Sequence, residues 1–231
     1  ADGTAQTVTI TITGANDAAT IAGDTTGAAT EDVSTAVTGT LTATDTDSSQ
    51  SSMADKSSTA STYGTYSMSS GAWTYSLDNS NTAVQALAAS ATMTDSLSFA
   101  SADGTAQTVT ITITGANDAP TVATEIADAS TNEDASYSLD VTSSFSDVDT
   151  GDGLTYTATG LPGDLAMSTA GVISGTPVNA DVGPHTVVVT VTDDSSTTAP
   201  GSVTDTFTLT IVNTDDATTG TVTISGDAYD D

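Results

Sequence analysis

The sequence has no cysteine, and its only basic residue besides His185 is Lys56. Without cysteine, disulfides, thiolate chemistry and Cys-based zinc sites are all excluded. Thirty acidic residues stand against that one lysine, for a net charge of -29. No Lys/Arg cluster exists to displace counterions, so nucleic-acid phosphate is excluded as a partner, and an anionic membrane surface is disfavoured for the same reason. No apolar run reaches the roughly 18 residues that a membrane-spanning helix needs, and there is no Asn-x-Ser/Thr sequon. Aromatics are 4% of the chain, too few to furnish the stacked subsites of a sugar-cleaving cleft. Two uses of the acidity remain: solubility in a salty medium, where screening acts within ~10 Å, and a supply of oxygen ligands for divalent cations.

What is present is repetition. Residues 1–18 read ADGTAQTVTITITGANDA, and residues 102–119 read the same letters. The interval is 101 residues (Asp103 minus Asp2), about one domain. Thr alternates with Val or Ile over 7–13 and 108–114, giving one apolar and one Thr face, the mark of a strand. The same period predicts strands over 36–44, 72–77, 154–159, 186–192, 203–212 and 221–225. Gly, Asp, Asn and Ser fill the gaps as turns require. Only 82–89 (TAVQALAA) reads as a short helical turn, with Val84 and Leu87 facing inward. Many short strands separated by turns imply an all-β chain of immunoglobulin-like or cadherin-like sandwich modules joined end to end. The expected division is a closing strand of a preceding module (1–17), a full module (18–118), a second full module (119–215) and the opening strand of a following one (216–231).

Residues 18–118 resemble the repeat module named for Vibrio, Colwellia, Bradyrhizobium and Shewanella. The resemblance rests on TEDVSTAVTGTLTATDTD (30–47), YGTYSMSSGAWTYSLDNSNTAVQALAA (63–89) and AQTVTITITGANDA (106–119). The turn before the last strand, residues 100–104, is shorter than that family's Asp/Gly-rich turn. Residues 119–215 resemble the dystroglycan-type cadherin-like or immunoglobulin-like module through 132–177 and 185–194, the LP…GVISGTP run above all. These resemblances imply secreted, large repetitive adhesins of the RTX type, with tandem extender domains at the bacterial surface or in a biofilm matrix, commonly stiffened by calcium. The implied partners are neighbouring modules of the same long chain and other copies in a fibre. A host or surface ligand would be held elsewhere in the full protein.

The residues that would serve calcium recur at module boundaries. Asn16-Asp17 and Asn117-Asp118 lie in the repeated Gly-Ala-Asn-Asp-Ala, and Asp215-Asp216 mark the next boundary. Acidic pairs open each module, Glu31-Asp32 and Glu133-Asp134, and D-x-D turns follow at Asp45/Asp47 and Asp147/Asp149, with Asp152 nearby. Asp193-Asp194 close the TVVVTVT strand. Carboxylates and amides are the oxygen donors calcium uses, and in cadherin-like chains linker Asn/Asp and a D-x-D turn converge on it. The competing reading is that these acids cap turns and keep the surface solvated.

Other residues carry bland expectations. Trp73 is a core residue, Lys56 is solvated in a Ser-rich loop, and His185 opens a Val strand without a Ser/Asp arrangement around it. The chain is expected to be no enzyme. Its expected role is a structural extender. The alternatives are a fibre or matrix subunit assembling by strand addition and a polysaccharide-binding module.

Overall fold

The computed structural model describes residues 2–47, 49–195 and 200–214. The chain divides into two compact units. Among the described residues, the first comprises 2–118 with 148–152 and 195, and the second 119–147, 153–194 and 200–214. The expected strand over 221–225 lies outside the described residues.

The first unit runs β1 (Thr20–Gly23), β2 (Thr26–Thr30), β3 (Val37–Thr44), β4 (Lys56–Ala60), β5 (Gly64–Ser69), β6 (Ala72–Leu77), the short helix α1 (Thr82–Gln85), β7 (Thr92–Ala100) and β8 (Ala106–Thr114). One sheet has the order β1-β3-β6-β5-β4, the other β2-β8-β7. β8 is thus a centre strand, parallel to β2 and antiparallel to β7. Its alternation works as written: Val109, Ile111 and Ile113 are 0% exposed and join the core, while the Thr residues face away. Each such side chain contributes about 1.5–3 kcal/mol by leaving water. Trp73, on β6, is also buried and donates its ring N–H to Asp24 O at 3.0 Å. Gly39 makes room for it: a Cβ there would stand 2.3 Å from the indole ring.

The second unit runs β9 (Thr121–Val122), β10 (Ala129–Asn132), β11 (Tyr137–Asp140), β12 (Phe145–Ser146), β13 (Leu154–Thr159), β14 (Leu165–Met167), β15 (Val172–Gly175), β16 (Gly183–Asp193) and β17 (Ser202–Val212). Its sheets have the orders β10-β17-β16-β13, β11-β15-β14 and β12-β9. Here too the last strand pairs in parallel with an early one, β10. Val187, Val189 and Val191 of β16 and Phe207, Leu209 and Ile211 of β17 form the heart of its core.

The expected closing strand of a preceding module, within 1–17, has no such module beside it here. Among the described residues, 7–13, identical to 108–114, have no strand partner, and Val8, Ile10 and Ile12 are 81%, 79% and 89% exposed. A lone extended segment leaves its backbone groups to water and its apolar face unburied, so period two alone does not hold it as a strand.

Candidate functional site

The acidic residues gather at the ends of the sandwiches, in arrangements that repeat. At the entry to the first unit, the Asn16 side-chain amide donates to Asp17 O at 3.0 Å. The Asp17 N–H donates to Asp47 Oδ2 at 2.7 Å, and the Asp47 N–H donates to Asp45 Oδ1 at 2.7 Å. A carboxylate accepting from the N–H two residues on is the Asx-turn, so the D-x-D spacing folds locally into this hook. Asp45 Oδ2 is buried and accepts no hydrogen bond among the described residues. The wiring recurs one module later. Asn117 donates its side-chain amide to Asp118 O at 2.9 Å, and the Asp118 N–H donates to Asp149 Oδ2 at 2.9 Å.

A second device repeats where the early strand ends beside the last one. In the first unit the Glu31 N–H donates to Thr114 O, just beyond β2, and Glu31 Oε2 accepts the Ala116 N–H at 3.0 Å. In the second unit the Glu133 N–H donates to Val212 O, and Glu133 Oε1 accepts the Thr214 N–H at 2.8 Å. In both, the glutamate is the residue after the early strand and ties down the residue two beyond the last strand. The next residue turns left-handed in each case, Asp32 at φ 59° and Asp134 at φ 58°. Aspartate tolerates that conformation better than most side chains. The glutamates are 1% and 2% exposed.

The surroundings of the two glutamates differ. Glu31 Oε1 accepts from the Gln85 side chain at 2.9 Å, whereas Glu133 Oε2 is buried with no hydrogen-bond donor among the described residues. Burial pushes the Glu31 carboxyl up to about 6. The charges of Asp118, Asp32 and Asp149 push the same way, against the Ala116 N–H. Negative charge is therefore concentrated at this end of the first unit.

The remaining acids are placed apart. Asp193 Oδ2 accepts the Gly201 N–H and Asp194 Oδ1 the Gly153 N–H, both at 2.7 Å. They stand at the far end of the sheet from Glu133 and Asp134, because Thr192 pairs with Ser202 while Gly183 pairs with Ile211. They brace loops and share no site with that pair. Asp147 is half-buried in the second unit, and Asp152 is half-buried in the first. Asp215 and Asp216 lie outside the described residues. Among the described residues, no group of three or more acidic or histidine side chains is already drawn around one point as a metal site.

The donor chemistry nevertheless suits calcium. The oxygens at the sandwich ends are carboxylates and side-chain amides, the ligands of a hard cation. Two of the buried oxygens, Asp45 Oδ2 and Glu133 Oε2, accept no hydrogen bond among the described residues.

Two residues outside these ends organise the first unit. Asp95 is 1% exposed on β7 and accepts from the Tyr63 N–H at 3.0 Å, the Thr62 N–H at 3.3 Å and the Tyr75 hydroxyl at 3.1 Å, joining the two sheets through the core. Burial and the Asp95 charge raise the Tyr75 hydroxyl well above its usual range. A signal existed: Asp95 is in phase with Leu97 and Phe99, so an inward carboxylate was written into the alternation. His185, by contrast, bonds locally, its Nε2 lying 2.6 Å from Asp181 O.

Comparison with known proteins bears on the same architecture. Residues 16–115 match the family described as "Bacterial cadherin-like domain", and residues 119–212 match "Putative Ig domain". No curated relative matches the sequence. Among solved structures, the chain is similar to human mucin-like protocadherin EC1-2 at 14% identity, with a TM-score of 0.56 over 84% of this chain and 99% of that one. It is similar to protocadherin gamma B2 cadherin domains 1-5 at 15% identity and TM-score 0.61, over 87% of this chain and 41% of that one. It is also similar to mouse cadherin-23 EC22-24 at 18% identity and TM-score 0.54, over 83% and 63%. At such identities the likeness speaks for fold, and it agrees with the sheet topology and the two domain matches: the chain is an all-β tandem of a cadherin-like and an immunoglobulin-like sandwich.

Proposed function

We propose that this chain is a structural extender segment of an extracellular bacterial adhesin or surface fibre, whose sandwich ends are stiffened by calcium. The observation that carries the reading is the recurrence of one acidic hook. Asn16-Asp17 sits on Asp47, and Asn117-Asp118 sits on Asp149, with the same donors, acceptors and near-identical distances. A purely solvating surface has no reason to repeat a wiring of that kind. The Asn16, Asp17, Asp45 and Asp47 end would hold one cation. The Glu31, Asp32, Asn117, Asp118, Asp149 and Asp152 end would hold others, and Glu133 and Asp134 occupy the equivalent corner of the second unit. When bound, calcium supplies the positive charge that offsets carboxylate repulsion; the chain's own part is to present oxygens from loops pinned by Asx-turns and buried glutamates.

The finer resemblance to the VCBS-type repeat and to RTX adhesins belongs to this proposal, as do a biofilm or cell-surface location and partnership with neighbouring modules. The role is mechanical rather than catalytic, and neither matching family description names an enzyme.

Calcium titration calorimetry on residues 1–231, beside small-angle scattering with calcium and with chelator, tests the proposal. Binding at roughly 10⁻⁴–10⁻³ M, the range of extracellular modules, is expected. At a hundredfold excess over the dissociation constant, calcium should add about 2.7 kcal/mol of stability. Asp47→Asn and Asp149→Asn should each weaken the binding. No heat of binding together with unchanged scattering would sink the calcium claim and leave the acids as solvated surface.

A further inference from the structure

The larger sheet of the first unit has a gap. β3 runs to Thr44, but its pairing with β6 stops at Thr40 opposite Ala72, because β5 turns into β6 at Ser70 and Gly71. The Leu41 N–H still reaches Gly71 O at 2.8 Å. Past Leu41, among the described residues, no strand follows on that side of β3. Bonding directions alternate along an antiparallel strand. The Asp24 N–H donates to Thr40 O on the β1 side, and the Leu41 N–H donates on the other, so Ala43 also directs its N–H and C=O away from β1. Ala43 is 7% exposed, and among the described residues neither group has a hydrogen-bond partner. Buried backbone groups are nearly always paired.

The gap is a cavity of about 540 Å³, within the range of ~300–1,000 Å³ usual for ligand sites. Leu41, Ala43 and Met53 give it a buried apolar floor, and Ser52, Asp55 and Ser70 an exposed polar rim. The wall opposite β3 is held to the other sheet. Met53 bridges Ser101, the Ala54 N–H donates to Ala100 O at the end of β7, and the Ala102 N–H donates to Ser52 O. Asp55 Oδ1 accepts the Ser70 N–H at 2.6 Å, which fixes a carboxylate at the mouth.

We propose that this cavity docks a short extended peptide that carries lysine or arginine. The peptide backbone pairs with the Ala43 N–H and C=O, adding a rung beside β3 in line with β6. Side chains alternate along an extended chain, so an apolar one enters over Leu41 and Met53 while its neighbour stays at the mouth with Asp55. Charge selects the partner: thirty acidic residues against one lysine repel an acidic peptide and draw a basic one. A second copy of the chain supplies no suitable cation, since its single lysine, Lys56, lies 5.2 Å over the Tyr66 ring. None of the residues lining the cavity is aromatic, which disfavours a stacked sugar ring. Asp55 and the floor residues are not among the proposed calcium ligands, so this inference stands or falls separately from calcium.

The test titrates isotope-labelled chain 1–231 with the end-blocked peptide Val-Thr-Lys-Val-Thr. Amide shifts concentrated at Ala43, Ser52 and Gly71 are expected, with slowed hydrogen exchange at the Ala43 amide. N-methylating the peptide backbone should abolish both. Asp55→Asn keeps an acceptor for the Ser70 N–H and should weaken binding by about fivefold, the upper end for an exposed ion pair. A peptide with glutamate in place of lysine should bind more weakly still. No shift at Ala43 in millimolar peptide overturns the inference. So does equal binding of the N-methylated peptide, or a preference for the glutamate peptide. Shifts at Ala43 caused by cellobiose and not by the peptide would overturn it by making the cavity a saccharide site. Shifts at Ala43 that grow with protein concentration alone would overturn it by making a second copy the occupant.

Discussion

Residues 2–18 and 103–119 are the same seventeen letters in two states. In the second stretch, Asp103 caps the β7–β8 turn, the Thr/Val/Ile alternation fills the middle of a sheet, and the final Asn-Asp hooks onto a D-x-D turn. In the first, the Asn-Asp hook is made in the same way, but the alternating part stays coil. The comparison separates what is local from what is not. The hook depends on short-range Asx geometry and on one nearby loop, so it forms in both places. The strand depends on two partners distant in sequence, β2 and β7, and forms only where they are present.

The largest effect that can break or sharpen this comparison is in the core. Ile111→Ala should destabilise the first unit by about 2–5 kcal/mol in urea melts, while Ile10→Ala should stay within about 0.5 kcal/mol of the parent, as exposed sites do. Equal losses would mean that residues 7–13 are buried in solution. Next comes the partner strand. Asp95 lies directly opposite Ile111 in the β7/β8 register and has no counterpart beside Ile10. Asp95→Ala strands the Tyr75 hydroxyl in the core and removes the acceptor of the Thr62 and Tyr63 N–H groups at its edge, for a loss on the order of 1–3 kcal/mol. Hydrogen exchange should show lost protection at 108–114 and no change at 7–13.

The smallest effect is at the turn. The Ser101 and Thr105 hydroxyls, with the Thr105 and Ala19 N–H groups, hold the Asp103 carboxyl well below its usual 3.8. A carboxyl depressed in the folded state stabilises fully above its unfolded value and loses that contribution as pH falls through the folded one. Asp103→Asn should therefore lower the melting temperature modestly at pH 7, and the difference from the parent should shrink below about pH 4. Asp2→Asn should leave the melting curve unchanged at every pH, because its turn has no folded partner to lose.

Much of the fold was legible in advance because strands with one buried face must alternate. The segments at 36–44, 72–77, 154–159, 186–192 and 203–212 each coincide with an observed strand, shifted by a few residues at most. Trp73 was identifiable as core from its apolar neighbours. The acids of the candidate ends were also legible as recurring pairs. Their roles were not: nothing in Glu31-Asp32 announces that the first is buried against Ala116, 85 residues away, while the second turns left-handed. Nor did position in a pattern distinguish Asp193 and Asp194, which brace loops, from Glu133, which closes a sheet.

By itself the sequence determined the class of structure, the repeat and the hard-oxygen chemistry of its loops, since alternation, Asx-turns and the absence of cysteine act over a few residues or over composition. The tertiary structure alone decided which of two identical segments is a strand, which glutamates are buried, and how Asp95 joins the sheets. Each of those depends on free energy gained only when segments far apart in the chain exclude water together.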